Sequence, residues 1–185
     1  MEINSKEYWE ERFKDNDWDK AEGAEQTAYF AELAEQLLPE WFVKNVRKSE
    51  LQICDLGCAE GNAEKTLIKL FPKSKIVGID ISKSAIEKAQ SKYPFAEYRV
   101  GDIFKRDENN LFDVVFCSNV IEHFENFQNT LEHICRFSKY YTIVMCPLRE
   151  NFDVPEHMVI IDTKNIPCIV DENYLIYAKS TIGNI

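Results

Sequence analysis

The chain has 185 residues, a length that fits one domain with a substantial buried core. A formal net charge of −10 argues against a nucleic-acid-binding surface, which is usually basic, and 45% hydrophobic content is that of an ordinary globular protein. No apolar run approaches the roughly 18 residues of a membrane span, and the acidic, helix-like N-terminus is unlike a signal peptide. We therefore expect a cytoplasmic protein that acts on a small or neutral substrate.

The six cysteines do not form a recognisable metal or redox motif. Cys54, Cys117 and Cys146 lie in apolar, strand-like runs, and no pair has the C-x-x-C spacing of zinc or redox sites. Cys54 and Cys58 are four positions apart, which suits neither. We expect reduced thiols that pack as small hydrophobic side chains.

The predicted elements alternate between strand and helix after a helical start. Helices are predicted at 4–14 and 24–38, the second ended by Pro39. Ser84 and Glu87 have the spacing of a capping box for a later helix. Such alternation predicts an α/β fold of Rossmann-like, doubly wound type, with a mostly parallel sheet and flanking helices. The strands are predicted at 51–56, 75–80, 96–100, 112–117 and 140–146, and the helices between them at 60–71, 83–92 and 126–138.

The turn after the first strand, "ICDLGCAEGN" at 53–62, differs from both common phosphate-binding loops. Ala59 and Asn62 stand where G-x-G-x-x-G requires its second and third glycines, and G-x-x-x-x-G-K-[ST] is not matched either. What remains is D-x-G-x-x-x-G, with Asp55 two residues before Gly57. A carboxylate there would repel pyrophosphate, whereas it suits an ammonium or sulfonium group.

Acidic residues also end the second and third strands. Asp80 lies 19 residues after Gly61, where an acid accepts hydrogen bonds from both ribose hydroxyls. Asp102 follows a glycine after the third strand and fits two roles. It can accept a hydrogen bond from an exocyclic amine such as that of adenine, or it can be an ordinary turn residue.

Four segments in this order resemble the motifs of class I S-adenosylmethionine-dependent methyltransferases. They are "DLGCAEG", "VGIDIS", "GDIF" and "FDVVFCSNVIEHF", and the likeness covers about residues 50–148. The N-terminal "YWEERF" and "EQTAYFAELAEQLLPEW" are similar to the leader helices of small bacterial methyltransferases. The resemblance implies an enzyme of the EC 2.1.1 type. It would transfer a methyl group from S-adenosylmethionine to an oxygen or nitrogen of a small molecule or sugar and release S-adenosylhomocysteine.

The resemblance also implies a cofactor role for particular residues. Asp55 is expected near the cofactor ammonium, Asp80 on the ribose hydroxyls, and Arg12 on the cofactor carboxylate. Ala59 replaces the more usual glycine, a mild change. The whole implied cofactor set is Trp9, Arg12, Asp55, Gly57, Cys58, Ala59, Gly61, Asp80, Ile81, Asp102, Ile103, Ser118, Asn119 and Val120.

Two histidines are candidates for a general base that would activate a hydroxyl acceptor. His123 follows the fourth strand, His157 lies in "VPEHM" after the fifth, and each also fits a structural role. Glu122 and His123 resemble part of the E-x-x-E-H signature of magnesium-dependent RNA 2′-O-methyltransferases. Because Asn119 replaces the first acid and the chain is strongly acidic, we expect no metal.

We predict one domain over 1–185, in which the family's usual C-terminal strands are incomplete. After the fifth strand only "NYLIYAK" at 173–179 reads as a strand, and "MVII" at 158–161 is too short to predict one. Three explanations are open: the chain is truncated, a homodimer or another partner covers the sheet edge, or this is a reduced variant of the family. The alternative function is a weak or inactive cofactor-binding module that acts through a partner. The parts are a helical leader at 1–48, a cofactor-binding core at 49–148, and a substrate loop with the last strand at 149–185.

Overall fold

The computed structural model describes residues 1–105, 111–147 and 154–162. Its five strands form one all-parallel sheet in the order β3-β2-β1-β4-β5, with helices on both faces, which confirms the predicted Rossmann-like fold. The strands are β1 Gln52–Leu56, β2 Lys75–Asp80, β3 Glu97–Val100, β4 Phe112–Ser118 and β5 Ser138–Met145. The helices are α1 Lys6–Lys14, α2 Asp17–Lys20, α3 Gly23–Leu37, α4 Glu40–Lys48, α5 Glu64–Leu70, α6 Lys83–Lys92 and α7 Phe127–Cys135.

The order of the strands reverses beside β1, and this reversal positions the site. From β1 the chain builds β2 and β3 on one side, and β4 and β5 on the other. Cys54 in the middle of β1 pairs with Val77 of β2 and with Val115 of β4. Where neighbouring connections leave a parallel sheet in opposite directions, a crevice opens at the carboxyl ends of the strands.

Apolar side chains bury both faces of the sheet. On one face Phe42 of α4 meets Phe71, which follows α5, with ring centroids 6.1 Å apart. On the other face Phe127 and Ile134 of α7 pack in a cluster that includes Ile161, which is 1% exposed. Ile161 therefore anchors the segment 154–162 to the core, a fact that matters for the site below.

Several predicted boundaries shift, and the helices α2 and α4 and one 3-10 helix were not predicted. Pro39 does end α3, but α4 begins directly after it, because proline is unfavourable inside a helix and well tolerated just before or at its first turn. The helix predicted at 60–71 begins only at Glu64, since the preceding residues form the glycine turn. A short 3-10 helix, Ile121–His123, follows β4.

The predicted capping box of α6 is wrong. The N-cap is Ser82, whose side chain accepts a hydrogen bond from the Ala85 N–H at 3.1 Å. Ser84 lies inside the helix and donates its hydroxyl to Glu10 of α1 at 2.6 Å. Sequence spacing alone did not separate the two serines, because the partner of Ser84 is 74 positions away along the chain.

The remaining predictions on the fold are only partly tested. The five cysteines within the described ranges are free, as expected: Cys54, Cys58, Cys117, Cys135 and Cys146. In the same ranges no helix has the length and apolar character needed to cross a bilayer. Residues 158–161 form no strand. The strand at 173–179 lies outside the described residues, so the incomplete C-terminal sheet and a partner covering its edge stay predictions.

The turn after β1 requires left-handed backbone at three positions. Gly57 and Gly61 have φ of +82° and +81°, and Ala59 has φ of +50°. A Cβ added at Gly57 would lie 2.4 Å from Cγ2 of Val120, so this position excludes a side chain on two grounds. At Ala59 the methyl group is accommodated and packs with Phe13 and Ala85.

Replacing Gly57 with alanine should therefore destabilise the fold. Left-handed strain and the clash with Val120 together should lower the free energy of unfolding by about 2 kcal/mol or more. Urea denaturation followed by circular dichroism measures the change.

The reverse change at Ala59 is the matched control. Ala59→Gly should relieve about 1–2 kcal/mol of backbone strain in the folded state. Against this, glycine gives the unfolded chain more conformational entropy, which costs about 0.4–1 kcal/mol of stability, and the loss of a buried methyl group costs about 0.8 kcal/mol. We expect a net change within about 1 kcal/mol. Equal losses for the two variants would contradict this account of the turn.

Candidate active site

A cavity of about 1070 Å³ opens at the carboxyl ends of the strands. The ends of β2 and β4 and the turns after β1 and β3 form its floor, while the leader helices and the segment after β5 close over it. Most of the predicted site residues line it, and they come together from six separate stretches of the chain. These are Trp9, Arg12, Gly57, Ala59, Asp80, Ile81, Asp102, Ile103, Ser118, Asn119, Val120, His123 and His157.

The turn after β1 lies against the end of β2. The backbone N–H groups of Gly57 and Cys58 both donate to the Ile79 carbonyl, at 2.7 and 3.1 Å. The Cys58 side chain is fully buried and packs with Ile86, Ala89 and Tyr98, away from the cavity. Cys58 and Gly61 therefore shape the turn from behind and are outside the cavity lining, unlike Gly57 and Ala59.

Asp80 joins the first two turns of the site. Its Oδ2 accepts from the Ala59 N–H at 3.0 Å and its Oδ1 from the Ser82 N–H at 2.9 Å. Burial raises the pKa of Asp80 to about 6, and the backbone donors at Ser82 and Ala59 oppose that rise. A carboxylate has about four lone-pair sites, so each oxygen retains capacity toward a ligand in the cavity.

Two further acids lie behind the turn in the protein interior. Asp55 is 2% exposed and is outside the cavity lining, and its Oδ2 has no hydrogen-bond partner among the described residues. Burial, and then the charge of Asp80, raise the pKa of Asp55 to about 8. Burial also raises the pKa of Glu64, with Asp55 adding to the rise. A cation brought close to this cluster would favour the ionised acids.

At the end of β3, Asp102 is both a turn residue and part of the cavity wall. Its Oδ1 accepts from the Phe104 N–H at 2.9 Å, and its Oδ2 pairs with Lys105 at 3.2 Å. Ile103 packs against the core cluster on the α7 side of the sheet. Asp102 thus holds the turn and still lines the cavity, so its two predicted roles are compatible.

The end of β4 presents polar atoms to the cavity. Asn119 has φ of +55°, and its N–H donates to the Met145 carbonyl at 2.9 Å, which turns the chain at the strand end. The Ser118 hydroxyl and the Asn119 Oδ1 are buried, and neither has a hydrogen-bond partner among the described residues. Polar groups in that state are suited to bind a ligand.

The leader helix α1 closes the cavity through polar contacts. Glu10 accepts hydrogen bonds from the hydroxyls of Ser82 and Ser84, at 2.8 and 2.6 Å. Arg12 pairs with Glu156, and its Nη1 also donates to the Tyr8 hydroxyl at 3.1 Å. A ligand carboxylate would have to share the Arg12 guanidinium with Glu156.

The two candidate histidines meet at one wall of the cavity. The rings of His123 and His157 lie 5.3 Å apart between centroids, and Trp9 packs on His123 at 5.1 Å. Burial, and then the charge of His157, lower the pKa of His123 to about 3, although a hydrogen bond to the Asn119 backbone acts in the opposite direction. His123 is therefore a neutral imidazole at pH 7.

Sequence reasoning did not foresee that Glu122, His123 and His157 would converge. Their ligand-capable atoms lie within 4.8 Å of one another. No sequence signal joined His157 to the other two. Glu156 was also missed as the partner of Arg12 and Tyr8.

The strand order and the cavity at the switch point define a Rossmann-type fold, a class in which ligands bind at the carboxyl ends of the strands. Over residues 47–172 the chain matches a family described as "Methyltransferase domain". The chain therefore belongs to this methyltransferase domain family, and the predicted likeness to class I S-adenosylmethionine-dependent methyltransferases is confirmed.

Curated relatives and solved structures agree with this placement. The trans-aconitate 2-methyltransferase of Azoarcus sp. (strain BH72) is 23% identical over 111 residues, which are 60% of this chain and 44% of that protein. The chain spans about half the length of the curated relatives it matches.

Two solved structures have the same fold. The magnesium protoporphyrin IX methyltransferase ChlM from Synechocystis PCC 6803 with bound SAH is 17% identical at a TM-score of 0.61, covering 76% of this chain and 71% of that one. The plantazolicin methyltransferase BpumL, in complex with a monoazolic desmethylPZN analog and SAH, is 22% identical at a TM-score of 0.59, covering 76% and 57%.

The buried acids predict a pH dependence of stability. Asp55 has a folded-state pKa of about 8, above its ordinary value of 3.8, so between these values the folded state holds a proton that the unfolded chain releases. Its contribution to stability is complete below about pH 4 and is lost as the pH rises through about 8.

Asp55→Asn should remove this dependence. Relative to the natural chain, the variant should gain unfolding free energy steadily between pH 5 and pH 8, which urea denaturation at each pH would measure. The difference in unfolding free energy between the two proteins at each pH cancels the contributions of other carboxylates, including those that make the protein more stable as the pH rises. Parallel stability curves for the two proteins would show that Asp55 is not a buried, proton-retaining acid.

Proposed function

We propose that this chain binds S-adenosylmethionine and transfers its methyl group to an oxygen or nitrogen of a small molecule or sugar, releasing S-adenosylhomocysteine. The single observation that carries the proposal is the position of Asp80. It ends the strand next to β1, its carboxylate is fixed by two backbone donors, and it faces the cavity. An acid at this place is suited to the two ribose hydroxyls of a nucleoside.

The turn after β1 supports a sulfonium cofactor over a dinucleotide. The turn lacks the second and third glycines that let pyrophosphate approach a helix, and three acids, Asp55, Glu64 and Asp80, lie in or behind it. In their ionised form these acids would repel pyrophosphate, whereas a nearby ammonium or sulfonium would favour that ionised form. ChlM and BpumL were solved with SAH, which agrees with this choice.

The chain's own residues would mainly orient the reactants. The sulfonium supplies an activated methyl carbon, so in-line placement of the acceptor accounts for much of the rate. Ser118, Asn119 and Val120 would line the site of transfer. With a pKa of about 3, His123 is a weak proton acceptor at pH 7, so alignment rather than general-base catalysis by His123 is the better account.

The charge of the cavity supports a neutral or cationic acceptor. Arg12 is the only lysine or arginine among the described lining residues, and Glu156 already pairs with it. The described part of the cavity wall therefore lacks the cations that a polycarboxylate such as trans-aconitate would require, although trans-aconitate methyltransferases are among the relatives. The carboxylates in the described wall are Glu22, Glu25, Asp80, Asp102 and Glu156.

Replacing Asp80 with asparagine should weaken cofactor binding. The loss of a charged acceptor for the ribose hydroxyls should raise the Kd for S-adenosylhomocysteine roughly tenfold or more, as measured by isothermal titration. Asp113→Asn is the matched control, because Asp113 lies near the other end of β4 and contacts Gln52 and Lys139. Binding of NAD but not of S-adenosylhomocysteine by the natural chain would overturn the proposal.

Turnover separates an enzyme from a binding module. With S-adenosylmethionine and a panel of amines, neutral alcohols, sugars and tricarboxylates, we expect S-adenosylhomocysteine release with neutral or cationic acceptors and none with trans-aconitate. Release with trans-aconitate alone would contradict the charge argument. Tight cofactor binding without release for any acceptor would favour the alternative, a module that acts through a partner.

A further inference from the structure

Three metal-binding side chains converge on the wall of the cavity. Glu122 and His123 end the 3-10 helix after β4, and His157 comes from the segment after β5. One candidate ligand atom from each residue lies within 4.8 Å of the other two. We propose that these three side chains bind one divalent transition-metal ion, contrary to the expectation from the sequence.

Backbone contacts hold the two segments together at this point. The Met158 N–H donates to the Glu122 carbonyl at 2.9 Å, which sets His157 beside Glu122. The side-chain amide of Asn4 donates to the carbonyls of His123 and Glu156, at 3.0 and 2.8 Å. Binding a metal here therefore requires only side-chain adjustment, because the backbone arrangement already exists.

The orientation of His123 matches that of a metal ligand. Its Nδ1 lies 3.0 Å from the Glu156 carbonyl oxygen. A carbonyl can only accept, so Nδ1 carries the hydrogen and the lone pair of the neutral ring is on Nε2. Metal-binding histidines almost always donate their other ring N–H to a carbonyl, carboxylate or water in this way.

The ligand set and its charge indicate the class of metal. Two imidazoles with one carboxylate suit Zn²⁺, Co²⁺, Mn²⁺ or Fe²⁺, whereas Mg²⁺ and Ca²⁺ prefer sites made only of oxygen atoms. Glu122 is 2% exposed, and its carboxylate would balance part of the charge of a bound cation inside the protein. The nearby cation Arg12 is neutralised by its pair with Glu156.

The site has an open side toward the acceptor. His123 and His157 line the cavity, while Glu122 lies behind them. Three protein ligands leave at least one coordination position, which faces the cavity. If the proposed methyl transfer holds, an acceptor hydroxyl bound there would lose its proton more easily. Metal binding itself does not depend on that reaction.

Titration of the tag-free 185-residue chain with Co²⁺ tests the site. Visible absorption bands of bound Co²⁺ and isothermal titration should give one ion per chain. His157→Ala should weaken binding by more than the roughly 10–100-fold that loss of an outer-shell partner costs. Glu122→Gln, which keeps the shape of the side chain, should weaken binding too.

His133→Ala is the matched control, because it removes the third histidine of the chain and leaves the cluster intact. His133 packs on Phe104, and it is absent from the cavity lining. We expect unchanged Co²⁺ binding for this variant. Equal affinity for the natural chain, His157→Ala and Glu122→Gln, or no Co²⁺ binding by the natural chain, would overturn the proposal.

A parallel titration of each protein with S-adenosylhomocysteine separates this proposal from the proposed function. Cofactor binding without Co²⁺ binding would reject the metal site alone. Co²⁺ binding without cofactor binding would support the metal site and reject the proposed function. Retained cofactor binding in His157→Ala and Glu122→Gln also shows that these variants are folded, so a loss of Co²⁺ binding in them is a loss of ligands.

Discussion

The carboxylate of Asp80 is the contact on which the site depends. It holds the turn after β1 through the Ala59 N–H and the turn after β2 through the Ser82 N–H. Those two turns form the floor of the cavity beneath the leader. Because both oxygens accept from the backbone, the carboxylate cannot rotate away, and a ligand meets an acceptor whose position is already fixed. Preorganisation of this kind reduces the ordering cost of binding.

The same arrangement places several acids in a small volume. Asp55 and Glu64 lie behind the turn that Asp80 holds, and burial raises the pKa of all three. Without a ligand the protein relieves this repulsion by retaining protons. A cationic ligand would relieve the same repulsion in a second way, by stabilising the ionised acids. The cluster therefore has two alternative states, protonated without a ligand and ionised beside a bound cation.

The fold was predictable because its determinants are local. Strand and helix runs alternate along the sequence, and the glycine turn between β1 and α5 differs visibly from phosphate-binding loops. The strand ends then identified Asp80 and Asp102 as cavity residues, since parallel strands place their carboxyl ends on one edge. Local pattern and general topology were sufficient for these features.

The features of the site that sequence reasoning missed depend on contacts between distant segments. The capping pattern at Ser84 was misleading because its hydroxyl bonds to Glu10, a residue of the leader. Arg12 seemed available to a cofactor because Glu156, 144 positions later, could not be paired with it from the sequence. The meeting of His157 with Glu122 and His123 has the same origin, since a backbone bond of the neighbouring Met158 creates it.

The leader helix α1 and the core helix α6 cap each other. Glu10 of α1 accepts from groups at the start of α6, while Lys88 of α6 donates to the Phe13 carbonyl at the end of α1. None of the sheet's own hydrogen bonds involves α1. Helix α1 is held through these contacts with α6 and through the bond of Tyr8 to Glu156. A change that weakens the start of α6 would therefore also loosen the cover over the cavity, although it touches no residue of that cover.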